Sequence, residues 1–239
     1  MMKILSSFSI VACAFMFGVD YASILLYRFI TKKQNVPHNA RWFFIHAITN
    51  LMVCALGYKD VVYCLTNIDK CFQTPWNTKS LYTFELAIIS HLYHIVMFFK
   101  NLKRDEWVHH IVMLGLAAPV TILKPSRATT VGLFFMTGLP GFTDYLLLWM
   151  VKLGKLNPMS EKLFYTWISM WLRSPGCLLA CFLAIPSLIK KPNIYVILQV
   201  LLTFWNGQYY LAKTCIDYGK KSMNTNKNNS NDKTARTAA

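Results

Sequence analysis

The 239-residue sequence predicts an all-α, polytopic membrane protein of about seven transmembrane helices. Hydrophobic residues make up 55% of the chain and charged residues only 15%, against ~25% in a typical soluble domain. The apolar residues fall in long uninterrupted runs, most of them near the ~20 residues that a bilayer core requires. Disorder, a secreted disulfide scaffold and a soluble nucleic-acid binder are excluded by these runs, despite a formal charge of +15. The excess charge then belongs in loops that face anionic lipid.

The first segment, Ile4–Ile30, follows Lys3 like a signal peptide, but it runs on too far and lacks a small-residue cleavage site. It is read as a retained helix with Asp20 inside. The next segments are Trp42–Leu56 (extendable toward Leu65), Leu81–Phe99 and Trp107–Leu123. After them come Ala128–Met150, Leu163–Ile189 and Ile194–Ala212. Loops on one side carry 8 Lys/Arg and those on the other, with the C-terminal tail, carry 16. Positive loops stay cytosolic, which predicts a lumenal N-terminus and a cytosolic C-terminus. Residues after about Lys220 hold almost nothing that could form a core and are predicted to be disordered. Cys64 and Cys71 flank a predicted lumenal loop; pairing and a reduced structural role both remain open.

Asp20, Glu85, Asp144 and Arg173 lie within apolar runs, where each would cost ~2.5–3.5 kcal/mol facing lipid at mid-membrane. They are expected to face an interior, a water-filled cavity or one another. Helical spacing supports an interior. His46 and Asn50 are one turn apart, and Thr83, Ala87, His91 and His94 share a face. So do Thr166, Ser169, Arg173 and Gly176, and the last segment has a stripe of Gln199, Thr203, Asn206 and Tyr210. Such faces can line a central chamber or lock helices together by hydrogen bonds.

Four of the six histidines, His91, His94, His109 and His110, fall in one short stretch of sequence. Neutral imidazole enters a membrane more cheaply than carboxylate and serves as base, nucleophile or metal ligand. Membrane di-iron desaturases use about eight histidines in HxxxH and HxxHH spacing, a set that six histidines do not fill. Arg173 offers a planar fork for a phosphate or carboxylate headgroup, or else neutralises Asp144 or Glu85.

The stretch from Arg41-Trp42 through His46, the His109-His110 pair and Asp144-Tyr145-Leu146-Leu147 resemble the TLC domain. That domain is shared by ceramide synthases, translocon-associated proteins and small lipid-homeostasis proteins, and the likeness covers roughly residues 40–215. Residues 1–39 then form a first helix and cytosolic loop, and residues 216–239 a disordered polar tail. The resemblance implies a helical barrel around a lipid-sized cavity, an endoplasmic-reticulum or other endomembrane location, and membrane lipids as partners, including a sphingoid base or ceramide. By the same resemblance His109 and His110 match the paired histidines implicated in acyl transfer from coenzyme A to a sphingoid amine. The synthase signature HDxxDxxLE is broken here. Its second Asp is kept as Asp144, whereas Pro140, Gly141 and Leu148 stand at the His, first Asp and Glu positions.

Three readings follow. The first is a lipid-binding protein of membrane lipid homeostasis, with His46, Asn50, His91, His94, Arg173, Asn206 and Tyr210 around its cavity. The second is a divergent N-acyltransferase with His109 and His110 as base or acyl carrier and Asp144 orienting an imidazole. It needs no cofactor beyond acyl-CoA as co-substrate. The third is a metal-dependent lipid-modifying enzyme with the four clustered histidines as ligands.

Overall fold

The computed structural model describes residues 6–237, with side chains through residue 224. Every long element is helical. We label them α1 Ser7–Thr31, α2 His38–Thr66, α3 Thr78–Asn101, α4 Arg104–Leu123, α5 Arg127–Lys152, α6 Pro158–Lys190 and α7 Ile194–Thr237. Six of these, α1 to α6, are long and apolar enough to cross a membrane. The seventh expected segment is helical as well, but Gln199, Asn206 and Gln208 interrupt its apolar run. The backbone of α7 runs on through most of the tail expected to be disordered, reaching Thr237.

The helix ends follow from local chemistry. Ser6 caps α1 by accepting the Phe8 amide, and Asn77 caps α3 by accepting the Lys79 and Ser80 amides. Lys32 closes α1 in the left-handed conformation at φ 60. Three helices carry one wide, π-type turn each: Met113–Ala117 in α4, Phe134–Gly138 in α5 and Ser169–Arg173 in α6. Each wide turn ends two residues before a proline, namely Pro119, Pro140 and Pro175. Proline lacks an N–H and crowds the carbonyl four residues back, so widening the turn relieves both problems.

α2 packs against α1, α3 and α5; α5 packs on α6, and α6 on α7. α4 meets α7 through its far end, Ala118–Leu123, and meets α3 through the imidazoles of His109 and His110. α1 packs against α2 and α3. Two ionisable residues of the apolar runs explain its docking. Glu85 on α3 accepts Ser6 N, Ser6 Oγ (2.7 Å) and Ser9 Oγ (3.0 Å). Asp20 on α1 takes both forks of Arg41 (2.8 and 2.6 Å) and the Tyr93 hydroxyl (2.9 Å). These two carboxylates clamp helices together and do not face the chamber.

Apolar packing forms two clusters. One joins α1, α2 and α3 around Met16, Ile45, Val53 and Leu86. The other gathers Cys64, Cys71 and Phe72 with Val131, Ala184 and Val196 at the end carrying the 67–77 loop. Cys64 and Cys71 are free thiols with no exposed surface. A hydrogen bond with Cys64, together with burial, pushes the Cys71 thiol well above its ordinary range.

Candidate functional site

Side chains from α2 through α7 line one chamber of about 460 Å³. Along α7 its wall runs from Gln199 to Lys213, ~21 Å of helix. A volume of 460 Å³ drawn out along that length makes an elongated tube, on the scale of a single hydrocarbon chain rather than of a two-chain lipid. The tube is amphiphilic. Toward the start of α4 it meets five imidazoles, Asn206 and Tyr210, and its mouth lies beside Asp105 and Lys213. Toward the other end it is walled mainly by apolar side chains such as Phe72, Phe84, Ala128, Ala180 and Val200. Lys213 Nζ donates to Asp105 Oδ2 across the mouth at 3.1 Å, tying α7 to α4.

The imidazoles are positioned by aromatic stacking and by one another. The Trp42 indole stacks on His94 with centroids 3.3 Å apart and meets His46 edge-on. His46 stacks on Tyr145 at 4.3 Å. His91 Nδ1 lies 2.7 Å from the Ala87 carbonyl, and a carbonyl can only accept, so this nitrogen carries the proton. In a neutral ring His91 Nε2 is then an acceptor, and His109 Nε2, 3.1 Å away, must donate to it. The chain of tautomers leaves His109 Nδ1 bare in its neutral ring. A second pair, His110 Nε2 and His94 Nδ1, sits at 3.1 Å, with His110 Nδ1 buried and without a hydrogen-bond partner. The one-turn spacing of His91 and His94 on α3 and the adjacent pair on α4 thus mesh as two cross-helix hydrogen bonds. Among the described residues no group of three or more His, Cys, Asp or Glu is arranged to hold a metal ion.

Of the residues expected at the site, His46, His91, His94, His109, His110, Asn206 and Tyr210 line the chamber. Asn50, Asp144 and Arg173 do not. Asn50 lies in the α2–α5 interface, where its Oδ1 accepts Thr137 Oγ1 and its amide presses on Gly141. A side chain at 141 would put its Cβ only 2.6 Å from Asn50 Nδ2, so any larger residue here would have to displace the Asn50 amide. Asp144 makes no hydrogen bond to an imidazole, and its Oδ1 is buried and unpaired.

Its neighbour Tyr145 stands on the chamber wall instead. Eleven residues are about three helical turns, so an uninterrupted helix would carry the face of Leu133 to position 144. The wide turn at Phe134–Gly138 inserts one extra residue and moves that place to 145. Gly138 and Pro140 signal a disturbed helix, but sequence does not show which way the register shifts.

Arg173 lies one layer behind the wall. Its Nη1 donates to Tyr165 Oη at 2.6 Å and its Nη2 to Asn206 Oδ1 at 3.1 Å. The guanidinium sits over the Tyr210 ring at 4.0 Å. Neither Asp144 nor Glu85, the partners the sequence suggests for it, comes within ion-pair distance. Comparison with known proteins finds no matching family model, no matching curated protein and no matching solved structure.

Proposed function

We propose that the protein binds a membrane lipid within this chamber, α2 to α7 forming a TLC-like helical barrel around it, and that it serves membrane lipid homeostasis. The observation that carries the reading is the amphiphilic tube, with imidazoles and amide at one end and hydrocarbon-like walls at the other. The docking of α4 on α7 through Ala118–Leu123 and the His pairs that join α4 to α3 support the barrel. The loop-charge asymmetry supports a lumenal N-terminus in an endomembrane such as the endoplasmic reticulum. Native mass spectrometry of gently purified protein is expected to show one retained lipid. That lipid should be lost when the tube is filled by Gly132→Leu, since Gly132 lines the wall beside Met136 and Thr203. A chamber that is consistently empty in the wild type refutes the proposal.

One observation favours a second reading, N-acyl transfer from acyl-CoA to a sphingoid amine. The tautomer chain gives His109 an unprotonated Nδ1, the form that accepts a proton or an acyl group. His91, rather than Asp144, is then the group that orients the reacting imidazole. Incubation with acyl-CoA and a sphingoid base tests this reading. Product from the parent protein that disappears in His109→Ala supports it, and product unaffected by that change excludes it.

A further inference from the structure

Three arginines enter the helical body, and they differ in how their charge is met. Arg41, with a side chain 28% exposed, is held by Asp20 at 2.6 Å, and Arg127, 25% exposed, has Asp60 at 3.8 Å. Arg173 is the buried one of the three, and among the described residues no carboxylate comes within 4.0 Å of it; Asp144, also buried, acts on it only from farther off. Its Nε is also buried without a partner. A buried guanidinium whose one interacting carboxylate, Asp144, stays beyond ion-pair contact is incompletely compensated, and an anion that approached more closely would be favoured there.

Its hydrogen bonds say where that anion sits. Guanidinium nitrogens only donate, so Arg173 must hold the oxygen of Asn206 and leave both amide N–H groups of that side chain free of it. Asn206 and Tyr210 both line the chamber and both touch Arg173, one through its amide oxygen and one through its ring. The arginine therefore fixes donors on the wall and supplies positive charge from behind it. That arrangement suits an oxyanion at the imidazole end of the tube.

We infer that the chamber takes a single-chain lipid with an anionic headgroup, a carboxylate or a phosphate monoester. Asn206 and Tyr210 contact that headgroup, and Arg173 acts through them as the positioning residue. This inference rests on the lipid-binding reading and narrows it to a ligand class.

The test uses full-length protein in detergent micelles and three probes of equal chain length: palmitate, palmitoyl lysophosphatidate and hexadecanol. Wild type is expected to bind at least one of the anions about tenfold or more tightly than the alcohol. Preference for palmitate alone identifies a carboxylate site, and preference for the lysophosphatidate alone a phosphate site. Arg173→Gln should abolish the preference, bringing the anion's affinity to that of hexadecanol measured with the same variant. Arg173→Lys should keep part of the preference. Equal affinity of the wild type for all three probes overturns the inference and leaves the lipid chamber standing. No binding of any probe, hexadecanol included, overturns both. The wild-type ranking decides the matter even where Arg173→Gln does not fold.

Discussion

Substituting Gly176 by alanine sets two effects of opposite sign against each other. In a helix interior alanine is favoured over glycine by ~0.8–1 kcal/mol, so a freely exposed site would gain stability. At 176 the new methyl would lie 2.2 Å from Phe135 Cδ1, 2.3 Å from Cγ and 2.7 Å from Cβ. Ordinary contact begins near 3.4 Å, so the ring or the α6 backbone must retreat by about 1 Å. Overpacking of this kind costs ~1–3 kcal/mol, and the severe overlap places Gly176→Ala toward the upper end. The expected net loss is therefore about 1–2 kcal/mol. Reversible unfolding by a denaturing detergent, followed by circular dichroism, measures it. A double-mutant cycle with Phe135→Ala should return a coupling of about 1 kcal/mol or more. If Gly176→Ala is instead as stable as the wild type, or more so, α5 and α6 do not approach as closely as described. The consequence reaches the site, because α6 also carries Arg173 to Asn206 on α7.

Other outcomes follow from the same contacts. Asp20→Ala breaks a bidentate arginine pair and a tyrosine hydrogen bond. Because Arg41 is partly exposed, the loss should be ~2–4 kcal/mol rather than the full value for a sealed pair. Asp105→Asn breaks an ion pair whose carboxylate is 71% exposed, and by the same unfolding assay it should cost about 0.5 kcal/mol or less. Equal effects of the two would contradict the burial assigned to them. Cys71 carries a raised pKa and no exposed surface, so its thiolate is scarce at pH 8. Maleimide should label it slowly in native membranes and quickly after denaturation; rapid native labelling would place it elsewhere.

The sequence made the helices legible because a bilayer imposes one length and one composition on everything that crosses it. Expected and observed spans differ mostly by a few residues at their ends. The histidine cluster was also legible, since His91 and His94 lie a turn apart and His109 and His110 are adjacent. What stayed hidden were relations between helices. Asp20 and Glu85 read as polar residues in need of an interior, but only the assembled bundle shows that they clasp α1. Asp144 and Tyr145 are neighbours, and a single extra residue in the wide turn decides which reaches the chamber. Arg173 shares a helical face with Ser169 and Gly176, and no periodicity shows that Asn206 and Tyr210 stand between it and the cavity.

Photo-crosslinking addresses the chamber most directly, with a single-chain lipid that carries a photoreactive group along its tail. In membranes containing the protein, labelled peptides should map to tube-wall residues such as Met113, Met136 and Leu202, and Gly132→Leu should abolish that labelling. Labels confined to outward-facing residues such as Val96 and Trp171, unchanged by the filling substitution, would contradict an internal lipid site.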